Sequence, residues 1–356
     1  MPQTRPFTRP AGMTRRAAIS GLGAGLLAAT CRASPADGLS PETGIARGWS
    51  AGDSLPFPVQ EIYPCLHDGA IHLAGGFVAT DGRITGPTEQ HHLWRPDGLG
   101  WRAAPPLPTA RHHPHLISWR GQLWTYGGFE SPSAEAIWTM QAGGWVLDEG
   151  NKGGWAPAPT LPVPCGEAVL LVGGTGLLHL AGGRSPVGAA NAVWQDQADQ
   201  THHFVLDDPA GSWREAAPCL SARNSAAGAV IDGRLHIVGG RSVTGGNTAA
   251  HEVYDPAEDR WRTAAPMPQA QGGLAAAEAG GKLFAFGGEY FDNGGGVYPE
   301  AWVYDPQTDE WGPIDPMPHP RHGLGAVTLD GAVHVIGGAL KASGVETSAL
   351  VEIYRP

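Results

Sequence analysis

Short apolar runs that end in a pair of glycines recur along the chain. Examples are AIHLAGG at 70–76, LLHLAGG at 177–183, RLHIVGG at 234–240 and AVHVIGG at 332–338. Runs of this length, bounded by turn-forming residues, are typical of β-strands. The 356 residues include 53 glycines and 32 prolines, and no long amphipathic helical pattern follows residue 30. The pattern therefore predicts many short strands joined by tight turns.

The glycine pairs mark an internal repeat. Six pairs begin at residues 75, 127, 182, 239, 287 and 337, and a tryptophan precedes each first glycine by 26 or 27 residues. These tryptophans are Trp49, Trp101, Trp155, Trp213, Trp261 and Trp311. A Tyr-Asp-Pro segment stands ahead of two of them, in HEVYDPAEDRW and AWVYDPQTDEW. Landmarks that recur together in one register indicate a repeat architecture.

This combination resembles the Kelch repeat, in which each unit forms one four-stranded blade of a β-propeller. The resemblance covers residues 45–356 and implies an all-β fold, a six-bladed Kelch β-propeller. The segment ALVEIYRP at 349–356 matches a third strand with no fourth after it, whereas ARGWSAGDSLP at 46–56 supplies a fourth strand with no blade before it. We expect the N-terminal strand to close the last blade beside the C-terminal strand, which removes exposed sheet edges.

Histidines recur three residues ahead of the glycine pairs and raise the question of a metal site. The six occupants of that position are His72, Trp124, His179, His236, Phe284 and His334. A position that accepts histidine or an aromatic residue, mid-strand and spread around a wide ring, indicates packing between blades. The pairs at 91–92 and 202–203 and the run at 112–115 are the remaining metal candidates, but neighbouring strand residues point to opposite faces. No metal or cofactor is predicted.

The first 36 residues have the composition of an export signal. Arg5, Arg9, Arg15 and Arg16 precede the short apolar stretch AAISGLGAGLLAAT, and no acidic residue is present. The Thr14-Arg15-Arg16 triplet resembles a twin-arginine signal, which exports folded proteins. We expect a signal at 1–36, a linker at 37–44 and a periplasmic or secreted propeller at 45–356. A lipid anchor at Cys31 is the less favoured alternative.

Charge and cysteine content exclude several partners. Removing residues 1–36 takes five arginines from the 23 basic residues and none of the 34 acidic ones, which leaves 18 against 34, a balance of −16. Such a surface repels phosphate backbones, so neither nucleic acid nor an anionic membrane is an expected partner, and no membrane span is predicted. Cys65, Cys165 and Cys219 allow at most one internal disulfide.

Strand order places a candidate site at one mouth of the central channel. The start of each inner strand and the residue after each glycine pair should surround this mouth, which makes it rich in arginine. A rigid guanidinium fork suits carboxylates, although arginine at an inner-strand start also bonds loop carbonyls, a structural role that stays open. The predicted ligand-binding residues are Arg111, Arg223, Arg321, Arg241, Arg184, Gln271, Asn224 and His112.

The chain is also similar to exported bacterial sialic-acid mutarotases, six-bladed Kelch proteins in which a glutamate after a second-strand glycine works with an arginine six residues later. Glu289 in FGGEYF matches that glutamate, and Gly295 stands where the arginine would be. The resemblance implies Glu289 as a base, with His322 or Tyr290 as its partner in proton transfer. Galactose oxidase-like copper chemistry is not expected, because that family has seven blades and a cysteine-linked tyrosine.

Two functions of different class therefore fit the sequence. One is the binding, with or without isomerisation, of an acidic carbohydrate at the arginine-rich mouth. The other is a docking scaffold for a protein partner. A polar concavity at the mouth favours the first function, whereas a mouth plugged by Phe77, Phe129 and loop side chains favours the second.

Overall fold

The computed structural model describes residues 47–148 and 154–356. The predicted export signal and linker lie outside the described residues. Within the described ranges almost all regular structure is β-strand, with two short 3-10 helices at Trp194–Asp196 and Asp292–Gly294. The predicted all-β class is therefore confirmed. No described helix has the length and apolar character needed to cross a membrane.

The described strands form six four-stranded antiparallel sheets, which we number as blades 1 to 6. The inner strands, in blade order, are Cys65–His67, His115–Trp119, Val169–Val172, Ala227–Ile231, Ala275–Ala279 and Gly325–Leu329. The second strands are Ala70–Ala74, Gln122–Tyr126, Leu178–Ala181, Arg234–Val238, Lys282–Phe286 and Ala332–Ile336.

The two outer positions of each blade follow in the same order. The third strands are His91–Trp94, Gly144–Asp148, His203–Leu206, His251–Asp255, Ala301–Asp305 and Val351–Arg355. The fourth strands are Trp101–Ala104, Gly154–Pro157, Arg214–Glu215, Arg260–Thr263, Glu310–Ile314 and, for blade 6, Gly48–Ala51.

Smaller sheets extend from one end of the blades. In blade 1, Phe77–Thr80 pairs with both Val59–Gln60 and Arg83–Pro87. Two-stranded hairpins follow the glycine pairs of blades 2 to 5: Phe129–Glu130 with Thr139–Met140, Arg184–Pro186 with Gln197–Asp199, Arg241–Ser242 with Gly246–Asn247, and Glu289–Tyr290 with Gly296–Val297. These segments carry the mouth of the channel.

Two-residue turns explain why the inner and second strands pair. Asp232 and Gly233 join these strands in blade 4 with φ angles of 48° and 79°. Positive φ at both positions matches the twist of antiparallel strands, and Asp-Gly adopts it at low cost. The equivalent turns of blades 1 and 6 are Asp68-Gly69 and Asp330-Gly331. The local sequence thus sets the register of these hairpins.

The ring of blades is closed by the two ends of the described propeller. Gly48–Ala51 pairs antiparallel with Val351–Arg355, with Trp49 opposite Tyr354. This is the pairing that the sequence predicts. Each inner strand contacts the inner strands of both neighbouring blades, including blade 6 with blade 1.

The repeated tryptophans join successive blades by one recurring hydrogen bond. Each indole N–H donates to the backbone carbonyl four residues after the tryptophan of the preceding blade, at 2.8–3.2 Å. The pairs are Trp101 with Asp53, Trp155 with Pro105, Trp213 with Pro159, Trp261 with Ala217, Trp311 with Ala265 and Trp49 with Asp315. The bond at the closure therefore has the same geometry as the other five.

The glycine pairs let neighbouring blades approach at the channel. Gly76 N–H donates to the Arg111 carbonyl of blade 2 at 2.8 Å, and a Cβ on Gly75 would lie 2.6 Å from that oxygen. Both glycines have positive φ, where other residues are strained. The second glycine of four other pairs donates in the same way to Arg223, Gln271, Arg321 or Val59. The glycine pair is thus a feature of the blade junction.

The repeated histidines pack within and between blades, as expected from their register. In blades 1, 3 and 4 the histidine contacts a second histidine on the third strand through Nδ1 and Nε2, at 2.9–3.0 Å. These dyads are His72–His91, His179–His203 and His236–His251, all buried. In each dyad, Nδ1 of the second histidine lies within hydrogen-bond distance of a backbone carbonyl, that of Pro105, Ala217 or Ala265. The same carbonyl accepts the hydrogen bond from the tryptophan indole of the next blade. Within the described ranges, no group of three or more ligating side chains is arranged to hold a metal ion.

Candidate functional site

The mouth of the channel is built where inner strands begin beside the segments that follow the glycine pairs. Backbone bridges join His112 to Phe129, Asn224 to Arg241 and His322 to Ala339. Each bridge links the residue eleven after a tryptophan to the residue after the same blade's glycine pair. The bridges thus bring the eleventh residues, among them the predicted His112, Asn224 and His322, beside the segments that follow the glycine pairs.

The next residue in each repeat, twelve after the tryptophan, faces its counterparts around the channel axis. These six ring positions are Glu61, His113, Glu167, Ser225, Gly273 and Gly323. All six have φ between 50° and 72°, and backbone N–H to carbonyl bonds of 2.7–3.1 Å join five neighbouring pairs. The ring positions thus form a collar in the left-handed conformation, which brings side chains from different blades together.

One half of this collar carries charged side chains in close contact. His113 Nε2 lies 2.8 Å from Glu61 Oε2 and 3.6 Å from Glu167 Oε1. The Ser225 hydroxyl donates to Glu167 Oε1 at 2.8 Å, and Arg184 forms an ion pair with the other oxygen of Glu167. Residues from three different blades therefore contact Glu167, which is buried.

A second group, from blades 4 to 6, faces the first. Arg241 Nη1 donates to Glu289 Oε1 at 2.6 Å, and His322 Nδ1 lies 3.4 Å from the same oxygen. The backbone N–H of Ser343 donates to Glu289 Oε2 at 2.7 Å. His322 Nδ1 also lies 3.7 Å from Glu61 Oε1, and Arg241 Nη2 lies 3.9 Å from Glu167 Oε1. The two groups therefore form one network.

Glycines at two ring positions leave space above this network. A Cβ added to Gly273 would lie 3.8 Å from both Glu289 Oε1 and the Cβ of His322, with Arg241 Nη1 at 3.9 Å. Any longer side chain at this position would cover those groups. A Cβ on Gly323 would lie 2.8 Å from the Glu61 carboxyl group. At Gly273 no side chain stands between Glu289, His322 and Arg241, and all three residues line the mouth cavity described below.

Neighbouring charges hold the carboxyl groups in the ionised form despite their burial. Burial alone would raise the pKa of Glu61, but His113, His322 and Arg241 together hold it well below its usual range. Burial likewise opposes ionisation of Glu167, and Arg184, His113 and Arg241 outweigh it to lower the pKa. Burial would lower the pKa of Arg241, yet Glu289 and Glu167 raise it. The network therefore presents fixed carboxylates beside a fixed guanidinium.

An open cavity of about 840 Å³ lies over this network. Its polar floor includes Glu61, Glu167, Arg241, Glu289 and His322. Phe77, Ile84 and Trp138 line its walls, and three exposed apolar side chains stand at its edge: Ile137, Phe291 and Val345. A concave site of this size, with a few convergent polar groups and apolar walls, suits a small ligand.

The predicted arginines at the inner-strand starts lie elsewhere. Arg321 is fully buried and forms an ion pair with Glu352 at 2.9 Å, while Arg223 pairs with Glu252 in the same way. Arg111 donates to the carbonyls of Gly127 and Gly143 and stacks on a tryptophan. Gln271, the fourth predicted residue of this set, donates to the Gly287 carbonyl. These four side chains do not line the mouth cavity, and their partners belong to their own blades.

The remaining predicted residues lie closer to the network. Arg184 contacts Glu167 and lies 4.9 Å from the ring of Trp138. Asn224 donates to Asp199 at 2.5 Å, and His112 Nε2 lies 2.9 Å from the Ile137 carbonyl. Tyr290 packs against Tyr298, with 5.0 Å between ring centroids, and does not line the cavity. The structure thus brings together Glu289, His322, Arg241 and Arg184 from the predicted set.

Sequence reasoning missed Glu61, His113 and Glu167. Each is the twelfth residue after its tryptophan, whereas the predicted residues at the inner-strand starts are the tenth or the eleventh. The sequence does contain a signal for them. The tenth residue after the tryptophan is arginine in three blades, whereas the twelfth residue is polar in four blades and glycine in the other two. A position that varies chemically within an otherwise regular repeat is a better indicator of a site than a recurring residue.

Comparison with known proteins agrees with this architecture. Residues 222–268 and 272–318 match the family model described as the Kelch motif. The solved structure of YjhT is similar to this chain with a TM-score of 0.68 and 15% sequence identity, covering 83% of this chain and 94% of that one. No curated protein matches the chain. The sheets and the solved structure together show a β-propeller fold, and two of its repeats match the Kelch motif.

Proposed function

We propose that the mouth cavity binds a small carbohydrate. The observation that carries this proposal is the network of Glu61, Glu167, Glu289 and Arg241 on the floor of the 840 Å³ cavity. Ionised carboxylates accept hydrogen bonds from sugar hydroxyls, and the guanidinium donates to hydroxyl oxygens. Apolar C–H faces of a sugar can pack against Phe77 or Trp138 on the walls. An open polar concavity also favours a small ligand over the docking of a protein partner.

Charge balance favours a neutral sugar over the acidic sugar expected from the sequence. Arg241 already pairs with Glu289, and Arg184 already pairs with Glu167. A ligand carboxylate would have to approach the carboxylates of Glu61, Glu167 and Glu289 to reach either guanidinium. Arg111, Arg223 and Arg321, which were expected to hold that carboxylate, are occupied within their blades.

The same groups can support interconversion of sugar anomers. In that reaction a base takes the proton of the anomeric hydroxyl while the bond from the anomeric carbon to the ring oxygen breaks, and an acid protonates the ring oxygen. The open-chain aldehyde then closes on its other face and returns both protons. Glu289 and His322 lie 3.4 Å apart and border one cavity, so they fit the two roles.

Calorimetric titration with matched sugars tests the binding proposal. Four sugars are titrated into the unmodified protein and into Glu289→Gln: glucose, N-acetylglucosamine, glucuronic acid and N-acetylneuraminic acid. We expect a neutral sugar to bind and the variant to weaken it, while Arg223→Lys, outside the cavity, leaves the affinity unchanged. Tighter binding of the acids would contradict the charge argument, and no binding of any sugar would contradict the proposal. Exchange spectroscopy on the bound sugar then measures anomer interconversion.

We propose that the twin-arginine signal at 1–36 directs the folded propeller to the periplasm. Replacement of Arg15 and Arg16 by lysine should leave the protein in the cytoplasm of the host cell, as measured by fractionation. Unchanged export of this variant would contradict the twin-arginine route.

A further inference from the structure

The central channel contains a second cavity below the collar of ring positions. This lower chamber has a volume of about 170 Å³ and shares no lining residue with the mouth cavity. A constriction of about 10 Å³ lies between them, lined by Glu61 on the mouth side and by Tyr63, Leu274 and Leu324 on the chamber side. That space holds about one water molecule. Since Ile117 and Leu171 at the chamber's other end are partly exposed, a ligand would enter from the face opposite the mouth.

Unequal side chains at one repeat position create the chamber. The residue fourteen after each tryptophan is large in blades 1 and 2, where Tyr63 and His115 stack with 3.8 Å between ring centroids. The equivalent residues of blades 4, 5 and 6 are Ala227, Ala275 and Gly325. A flat aromatic surface therefore faces a wall of small residues across the channel.

One polar atom on this aromatic surface lacks a partner. His115 is 4% exposed, lines the chamber, and its Nε2 makes no hydrogen bond with any described residue. Burial, and then the neighbouring His113, lower the pKa of His115 to about 3, so the ring is neutral near neutral pH. A buried polar atom without a partner costs stability that a ligand's hydrogen bond can recover.

We propose that the lower chamber binds a small aromatic alcohol, whose ring packs against Tyr63 and His115 and whose hydroxyl bonds His115 Nε2. The volume suits one six-membered ring, since a dry protein cavity of about 150 Å³ binds benzene. A hydroxyl both donates and accepts, so it can pair with either tautomer of the imidazole. This site is independent of the proposed carbohydrate site at the mouth.

Phenol is the probe that tests this site, with toluene as its matched control. We expect a crystal of the protein soaked in phenol to show the ring in the chamber, with its oxygen within about 3 Å of His115 Nε2. Toluene has the same shape but no hydroxyl, and it should bind the protein at least fivefold more weakly in calorimetric titration. A chamber that contains only water at saturating phenol would overturn the proposal, as would equal affinity for the two probes.

Variants separate this site from the mouth. Ala276→Leu fills the chamber from a partly exposed position and should abolish phenol binding, and His115→Phe should remove the preference for phenol over toluene. Glu289→Gln should leave phenol binding unchanged while it weakens sugar binding. Undiminished phenol affinity in Ala276→Leu would overturn the proposal even if His115→Phe failed to fold. Loss of phenol binding in Glu289→Gln would place the phenol at the mouth and also overturn it.

Discussion

The tenth and twelfth residues after each tryptophan lie only two positions apart but have different roles. The tenth position holds arginine in blades 2, 4 and 6, and those side chains bond groups of their own blade. The twelfth position holds Glu61, His113 and Glu167 in blades 1 to 3, and those side chains meet across the channel. In this propeller the residue that recurs supports the blade, and the residue that changes forms the candidate site.

Removing a tenth-position arginine should have the largest effect on stability. Arg321→Ala removes the buried ion-pair partner of Glu352 and leaves this carboxyl group only its described contact with the exposed His319, so we expect a loss of about 3–5 kcal/mol of unfolding free energy. Calorimetric unfolding measures this loss. Sugar binding at the mouth should stay unchanged, because Arg321 does not line the cavity.

A double variant provides the matched control for that experiment. Blade 5 carries Gln271 at the tenth position, and Trp302 stands at the register position that Glu352 occupies in blade 6. Arg321→Gln with Glu352→Trp copies this pair and should recover part of the stability lost in Arg321→Gln alone. A weakened ligand affinity with unchanged stability in Arg321→Ala would reverse the roles assigned here to the two positions.

Replacing a residue of the mouth cavity should weaken ligand binding and leave the stability of the fold nearly unchanged. Glu289→Gln removes a charged hydrogen-bond acceptor from the cavity floor and should weaken sugar binding by about 1.5–3 kcal/mol, or more than tenfold. Calorimetric titration gives the affinity, and thermal unfolding of the same samples gives the stability. A large loss of stability without loss of affinity would indicate that Glu289 only neutralises Arg241.

The fold was predictable from the sequence to a greater depth than the site. The spacing of tryptophan and glycine pairs encodes contacts that recur at every junction, such as the indole of Trp261 on the Ala217 carbonyl. The site has no such periodicity, because it depends on side chains from several blades meeting on the axis. Glu289 was found through resemblance to a family. The proximity of Glu61 to His322 requires the ring to be closed in three dimensions.

Acid should weaken the junctions that contain a histidine dyad. Burial, and then its dyad partner, lower the pKa of His236 from 6.5 to about 3, and burial lowers that of His251 to about 4. The unfolded chain therefore binds protons below pH 6.5 that the folded dyad does not. Stability is full above pH 6.5 and is lost progressively as the pH falls towards 3. Urea unfolding across this range measures the slope.

Blade 5 again supplies the control, since Phe284 and Ala301 occupy the dyad positions there. The double variant His236→Phe with His251→Ala gives blade 4 the blade 5 pair. It should reduce the slope of unfolding free energy against pH between 6.5 and 4. An unchanged slope would mean that other groups, such as Glu61 and Glu167, account for the acid sensitivity.

The smallest effect concerns the closure of the ring. Trp49→Phe removes the indole N–H that donates to the Asp315 carbonyl at 2.9 Å but keeps an aromatic ring against Phe286 and Tyr354. One neutral hydrogen bond contributes about 1 kcal/mol. Trp261→Phe removes the equivalent bond to Ala217 inside the ring, so the two variants should lose similar unfolding free energies in urea titrations. If Trp49→Phe cost several times more, closure would be the weakest junction and its loss would open the ring. If it cost nothing, the strand Gly48–Ala51 would depend on its backbone pairing with Val351–Arg355 alone.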